Sequence, residues 1–175
     1  NVNMLRTTSE CMSAILGGSD TISNISYDSI YHKSNEFGER IARNQLLILK
    51  EEAYLSEAHK FANGAYYIEN TEKQFAEKAL QLFKQIEKNG GFLKQLKKGT
   101  IQNKINENAG KQQELFDQNE LILLGTNKLP SQNDRMKNEL QIYPFLKKKN
   151  SKTLIVPILQ RRLSEQHEQN RLKME

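Results

Sequence analysis

Segments with helical periodicity alternate along this chain with short apolar runs, and glycine or other turn-forming residues separate the two. Helices are predicted at residues 6–16, 36–52, 71–89, 92–98, 101–116 and 164–175. Short strands are predicted at residues 20–27, 65–68 and 121–124. Such alternation is typical of βα units around a parallel sheet, and it predicts an α/β fold.

The helix predicted from residue 71 has the clearest sequence signals. Thr71 and Gln74 match a capping box, because each side chain can satisfy a backbone donor of the first helical turn. Apolar residues then recur on one face up to a stop at Gly90-Gly91; they are Phe75, Ala79, Leu82, Phe83 and Ile86. We therefore predict an amphipathic helix whose apolar face packs against other elements.

The number of strands limits the fold. A parallel (β/α)8 barrel, the TIM barrel, needs all its strands to leave no open edge, and about two βα units are present. We therefore predict residues 1–130 to be a C-terminal part of such a barrel, its last two βα units, with helices following. Residues 131–175 are predicted to be a basic linker with a helix cut short at its end. Within this linker Pro157 makes residues 153–159 an edge segment or an extended tether.

Charge is distributed unevenly along the chain. The net charge is +5; residues 1–130 are balanced, and residues 131–175 hold 10 Lys and Arg against 5 Asp and Glu. The densest point is Lys147-Lys148-Lys149, without the interleaved aromatic residues that stack bases, so a solvated linker is favoured over a nucleic-acid site. No apolar stretch approaches the roughly 20 residues of a membrane span. The lone Cys11 and the lack of a leader pattern favour a cytoplasmic protein.

Four stretches of the sequence, in the same order, match motifs of one known enzyme family. Residues 6–18 resemble the stretch leading into the seventh barrel strand, and residues 37–44, Phe-Gly-Glu-Arg-Ile-Ala-Arg-Asn, resemble a helix signature of the family. Residues 63–66 stand where the family has a Gly-Gly-Ser-Tyr turn into the last barrel strand, and residues 125–128 resemble the segment after the barrel. Together these stretches resemble the methylmalonyl-CoA mutase family, and the resemblance implies an acyl-CoA mutase barrel for residues 1–130.

This resemblance also implies a function. Family enzymes interconvert methylmalonyl-CoA and succinyl-CoA, with adenosylcobalamin held between the barrel and a separate domain. Active members have His-Thr-Asn where this chain has residues 23–25, Ser-Asn-Ile, and Asp-Pro-Trp-Gly-Gly where it has residues 60–64. Cobalamin binding also uses an Asp-x-His-x-x-Gly motif, which surrounds none of His32, His59 and His167. The changes at residues 23–25 and 60–64, on the cofactor side of the barrel, resemble the small, non-catalytic subunit of the family. This resemblance implies no cofactor on this chain and adenosylcobalamin in the parent complex.

We expect no catalytic, cofactor-binding or metal-binding residue in the chain. If any residues still face a ligand, they are those predicted at strand ends, where barrel enzymes place their sites, or on the adjoining strand: Ser23, Asn24, Asn63, Gly64 and Tyr66. The expected partner is the large catalytic subunit, in a heterodimer, and acyl-CoA is left open as a ligand. Two alternatives stay open: a fragment of an active acyl-CoA mutase whose catalytic residues lie elsewhere, and a basic binding module at residues 131–175.

Overall fold

The computed structural model describes residues 2–133, 135–146 and 152–175, and within them the side chains of His59 and Lys60 are not described. Across these ranges the regular elements are helices. The α-helices are α1 (Val2–Leu16), α2 (Glu36–Leu47), α3 (Tyr66–Lys88), α4 (Phe92–Lys97), α5 (Thr100–Asp117) and α6 (Glu165–Met174). A π-helix, Ile48–Glu52, continues α2, and a 3₁₀-helix spans Leu55–Lys60.

The predicted α/β fold is wrong for the described residues: they contain no sheet and no part of a TIM barrel, only an isolated bridge between Leu124 and Lys128. Residues 21–26 have no regular structure, and residues 121–124 lead into a tight turn. A strand leaves its N–H and C=O groups unpaired until a neighbouring strand arrives, whereas a helix pairs its own. With no neighbouring strand in the described ranges, residues 21–26 and 121–124 have no ladder to join.

The strand predicted at residues 65–68 is also wrong, because Tyr66, Tyr67 and Ile68 form the first turn of α3. The predicted capping box is wrong in consequence: Thr71 lies inside the helix, where its hydroxyl donates to the carbonyl of Tyr67 at 2.7 Å. A hydrogen bond to the carbonyl one turn back is what a mid-helix threonine commonly makes. The carboxylate of Glu69 instead reaches back to the backbone N–H of Gly64, at 2.9 Å.

The predicted helices are confirmed, with shifts at their ends. The first ends at residue 16 as predicted, and the second glycine after it, Gly18, has φ +80° and donates its N–H to the carbonyl of Ile15. This left-handed residue is what a helix C-terminus favours. The third ends before Gly90-Gly91 as predicted, and the predicted helices at 92–98, 101–116 and 164–175 match α4, α5 and α6 to within two residues.

The chain divides into two compact units, residues 1–71 with 137–144, and residues 72–136 with 145–175. In the first, α1 packs against α2 and the 3₁₀-helix, around the buried residues Cys11, Ala42 and Leu49. In the second, α4 packs against α5, and Phe116 and Phe145 are buried. The apolar face predicted for α3 lies open, since Phe75 and Phe83 are 70% and 58% exposed. The domain boundary at residue 130 stays a prediction.

Two further segments of the sequence can be placed. The predicted strand at residues 121–124 is replaced by a turn centred on Asn127, whose side chain accepts from the N–H of Leu123 at 2.7 Å and donates to the carbonyl of Leu121 at 2.8 Å. Gly125, with φ +81°, closes this turn. Residues 155–160 have no regular structure, while residues 147–151, with the three predicted linker lysines, lie outside the described residues.

Candidate functional site

An open groove of about 570 Å³ lies in the first unit, between α1 and the irregular segment that follows it. Residues along one face of α1 form one wall, among them Asn3, Arg6 and Thr7. Residues 22–27 with 29–30 form the other wall. Two of the predicted ligand-facing residues, Ser23 and Asn24, therefore line one cavity.

Asn24 is tied into the fold by its side chain. Its amide nitrogen Nδ2 donates to the carbonyl of Ala42 at 3.1 Å and to Oε1 of Gln45 at 2.7 Å, both on α2. A side-chain amide has two N–H donors, so both of them are used in these bonds. Asn24 thus fixes the irregular segment to α2, and Ser23 beside it is exposed.

Gln45 is the centre of the hydrogen bonds in this unit. It is buried on α2, and its Nε2 lies 2.5 Å from the carbonyl of Met4, 3.0 Å from Oγ1 of Thr7 and 2.8 Å from Oγ1 of Thr8, all on α1. Its Oε1 accepts from Asn24. One buried amide therefore joins α1, α2 and the groove wall, and a buried amide is stable only where such partners are present.

A second polar cluster fixes the end of the groove wall to the start of α2. The carboxylate of Asp28 is buried, and its Oδ2 lies 2.9 Å from Nδ1 of His32 and 2.9 Å from Nδ2 of Asn35. Because an ionised carboxylate only accepts, Nδ1 of His32 carries the proton in this pair. Asn35 is also the N-cap of α2, where its Oδ1 accepts from the N–H of Gly38 at 2.7 Å.

The pKa of Asp28 lies below the ordinary value for an aspartate. Burial is the largest influence and acts to raise this pKa, but the opposing contacts, chiefly the hydrogen bonds from His32 and Asn35, together outweigh burial. The other oxygen, Oδ1, is buried without a hydrogen-bond partner and faces Gly38, where a Cβ would stand 2.8 Å from it. A side chain at position 38 would therefore force this carboxylate or the start of α2 to shift.

Neither the thiol of Cys11 nor the phenol of Tyr27, both of which line the groove, is activated. Burial raises the pKa of the Cys11 thiol, and the nearby charge of Glu10 raises it further. Burial, followed by the charge of Asp28, likewise raises the pKa of the Tyr27 hydroxyl. Since the reactive form of cysteine is the thiolate, Cys11 is a structural thiol at neutral pH.

The other three predicted site residues lie elsewhere. Asn63 and Gly64 form the turn before α3, and Tyr66 opens that helix with 82% of its surface exposed. None of the three lines the groove. The structure therefore brings Ser23 and Asn24 together and leaves Asn63, Gly64 and Tyr66 on a separate exposed turn.

The described residues do not fit cobalamin. A lower axial ligand needs an imidazole nitrogen that faces a space wide enough for the corrin ring, and His32 does not line the groove. His167 packs edge-on against Phe116, with ring centroids 5.4 Å apart. Within the described part of the chain, no three His, Cys, Asp or Glu side chains come together as metal ligands would.

No described helix is both long and apolar enough to cross a membrane.

Sequence reasoning missed the set formed by Gln45, Asp28, His32 and Asn35. The spacing of an aspartate and a histidine four residues apart, followed by an N-cap asparagine, was available as a signal in the sequence. Gln45 gave no such signal, because its partners on α1 are about 40 residues away and include a backbone carbonyl.

Comparison with known proteins gives one consistent family. The family profile described as "Methylmalonyl-CoA mutase" matches residues 1–174. The chain is 39% identical over 131 residues to the methylmalonyl-CoA mutase small subunit of Porphyromonas gingivalis, covering 75% of the chain and 21% of that protein. It is 29% identical over 126 residues to the large subunit of the same bacterium, covering 72% of the chain and 18% of that protein.

A similar match is found with a mutase not named as a subunit. The methylmalonyl-CoA mutase of Rhizobium meliloti is 35% identical over 140 residues, which cover 80% of the chain and 20% of that protein. The chain thus spans about a fifth of the length of the curated relatives it matches.

Proposed function

Because the chain belongs to the methylmalonyl-CoA mutase family, we propose that it is part of a small, non-catalytic subunit that supports a large catalytic subunit as its heterodimer partner. The parent complex isomerises methylmalonyl-CoA and succinyl-CoA with adenosylcobalamin in this proposal, and it works in the cytoplasm. The chain contributes neither a catalytic group nor a cofactor ligand.

The observation that carries the proposal is the pair of hydrogen bonds that Asn24 donates to α2. The resemblance implies that active members of the family have His-Thr-Asn where this chain has residues 23–25. In this chain residue 24 is an asparagine, and both N–H donors of its side chain are bound to α2. A side chain whose donors are bound within the fold has none left for a ligand. The exposed neighbour Ser23 lacks the titratable ring that acid–base chemistry near pH 7 uses.

Identity to the two subunits of one organism supports the same choice. The chain is 39% identical to the P. gingivalis small subunit and 29% identical to the large subunit, over alignments of similar length. The 35% identity to the R. meliloti mutase keeps the active-fragment alternative as a second candidate. That candidate places the catalytic and cobalamin residues outside this chain.

The test uses the full-length protein that contains this sequence, with and without its large subunit. We expect no isomerisation of methylmalonyl-CoA by the protein alone at saturating adenosylcobalamin, and we expect the two subunits to elute together in gel filtration. Turnover by the protein alone would refute the non-catalytic role. Separate elution of two folded subunits would refute the heterodimer.

A variant of Asn24 distinguishes the structural role from a ligand-binding one. Asn24→Ala removes both bonds to α2, so we expect a lower free energy of unfolding with no direct loss of turnover in the assembled enzyme at temperatures where the fold persists. The matched control is Ser23→Ala, at the exposed neighbouring position. A selective rise in KM for acyl-CoA in Asn24→Ala would instead show that this side chain binds the substrate.

A further inference from the structure

The chain contains two asparagine–glycine pairs, Asn63-Gly64 and Asn89-Gly90. In such a pair the glycine backbone nitrogen can attack the side-chain amide carbon of the asparagine, because no Cβ on the glycine shields that nitrogen. The two pairs share their sequence, an exposed asparagine and a glycine with positive φ, +79° at Gly64 and +100° at Gly90. Any difference in their reactivity must come from their surroundings in the fold.

Around Asn63-Gly64 the structure is open. The side chain of Asn63 is exposed and forms no hydrogen bond with the described residues. A Cβ built on Gly64 would meet nothing within 4 Å. The backbone N–H of Gly64 donates to Oε1 of Glu69 at 2.9 Å, and this bond is exposed to solvent. Glu69 therefore holds the attacking nitrogen directly, while the bond from the N–H of Ala65 to the carbonyl of Ala62, at 3.1 Å, closes the turn around it.

Around Asn89-Gly90 the backbone is held at the end of a helix. The N–H of Gly90 donates to the carbonyl of Glu87 at 2.9 Å, and the carbonyl of Asn89 accepts from Nε2 of the buried Gln95 at 2.5 Å. The side chain of Lys94 lies over Gly90 and occupies the place that a Cβ would take. Rotation of this peptide toward its asparagine side chain would break the C-terminal turn of α3.

We propose that Asn63-Gly64 is a site of self-modification, at which the asparagine deamidates through a cyclic imide, and that Asn89-Gly90 is protected by the fold. In the first step the bond between the Gly64 nitrogen and the Asn63 side-chain carbon forms. The bond from that carbon to the amide nitrogen breaks, and the proton from Gly64 leaves with this nitrogen as ammonia. Water then opens the ring to aspartate or isoaspartate, and no oxidant or cofactor takes part.

The hydrogen bond to Glu69 slows this reaction, because the nitrogen must leave the carboxylate before it can turn toward Asn63. A single exposed hydrogen bond changes an equilibrium by about two- to tenfold. Removing the Glu69 carboxylate is therefore expected to raise the rate at Asn63 by about that factor. The same substitution has no expected effect at Asn89.

The experiment incubates the purified full chain at neutral pH and 37 °C, then digests it and measures each asparagine peptide by mass spectrometry. The readout is the mass gain of replacing an amide NH2 by OH, and isoaspartate is separated from aspartate by its retention time. We expect Asn63 to convert while Asn89 stays intact in the folded chain, and both to convert at similar rates in concentrated urea. The Glu69→Ala variant should convert faster at Asn63 only.

Three results would overturn the proposal. Equal conversion of both pairs in the folded chain would show that the surroundings do not select the site. An intact Asn63 in a folded chain, with conversion in urea, would show that the turn is protected as well. An unchanged rate in Glu69→Ala would show that the carboxylate is not the restraint. Each outcome is independent of mutase activity and of the proposed subunit role.

Discussion

Gly38 offers the sharpest test of how closely α2 packs against Asp28. An ideal Cβ at this position would stand 2.8 Å from Oδ1 of Asp28, 3.1 Å from Cβ of Ser26 and 3.2 Å from Oδ1 of Asn35. Neither oxygen can retreat freely, because Asp28 is held by two hydrogen bonds and Asn35 caps α2. Gly38→Ala therefore forces either the helix start or the buried carboxylate to move.

The expected magnitude follows from two opposing effects. Overpacking of a fixed site costs about 1–3 kcal/mol. Replacing a helical glycine by alanine returns about 0.5–1 kcal/mol through reduced backbone entropy. We therefore expect the free energy of unfolding of Gly38→Ala to fall by up to about 2.5 kcal/mol.

Gly110 is the matched control. It lies inside α5, and a Cβ built on it meets nothing within 4 Å. Gly110→Ala should gain about 0.5–1 kcal/mol without any packing cost. Urea unfolding followed by circular dichroism at constant pH measures both variants. A Gly38→Ala protein as stable as Gly110→Ala would refute the close approach of Asp28 to α2.

The remaining predictions concern three side chains that hold the fold together by hydrogen bonds: Asp28, Gln45 and Asn127. Asp28→Asn should lower the stability at neutral pH by about 1–2 kcal/mol. Because the folded pKa of Asp28 lies below the unfolded value of about 3.9, its contribution is present above that value and is lost as pH falls through the folded pKa. The variant should therefore lose less stability than the native chain in acid titrations below pH of about 3.9; parallel curves would refute the assignment. Gln45→Leu should cost about 2 kcal/mol in urea unfolding, since it removes the partners of Asn24 and of α1; an unchanged midpoint would contradict its central role. Asn127→Ala should speed amide hydrogen exchange at Leu123 by opening its turn, and an unchanged exchange rate would exclude that bond.

The helices could be predicted from the sequence because their signals are local. Glycine marks the end of α1 at Gly17-Gly18 and of α3 at Gly90-Gly91, and apolar spacing marks the residues between. The start of α3 lies at residue 66, five residues before the predicted start at 71. The residues before Thr71, two tyrosines and an isoleucine, favour strands when taken alone, and only the continuous helix that follows makes them helical.

The strands failed as predictions for a non-local reason. An apolar run such as residues 121–124 indicates which residues avoid water. It does not indicate whether a neighbouring strand is present to pair with them. In the described residues none is present, and Asn127 supplies the partners through its side chain instead. Sequence periodicity does not indicate whether the backbone groups will pair with a neighbouring strand or with a side chain such as that of Asn127.

That Ser23, Asn24, Asn63, Gly64 and Tyr66 face a ligand stays a prediction. Ser23 and Asn24 do line a groove, since the loop after a glycine-terminated helix could be located from the sequence. Asn63, Gly64 and Tyr66 were grouped with them because a barrel would bring its strand ends to one edge. Without a barrel in the described residues, that reason for proximity disappears.

The hydrogen bonds of the first unit explain why a segment without regular structure keeps a fixed place. Residues 21–26 lack a ladder, but Asn24 reaches a carbonyl of α2 and Asn3 donates from α1 to the carbonyl of Tyr27 at 3.2 Å. Gln45 then joins the two helices to each other. These bonds are directional, so they fix geometry where the buried apolar residues, Cys11, Ala42 and Leu49, are few. Because each amide serves several partners, substitutions here should be strongly non-additive, and the double variant of Asn24 and Gln45 should lose less stability than the two single losses combined.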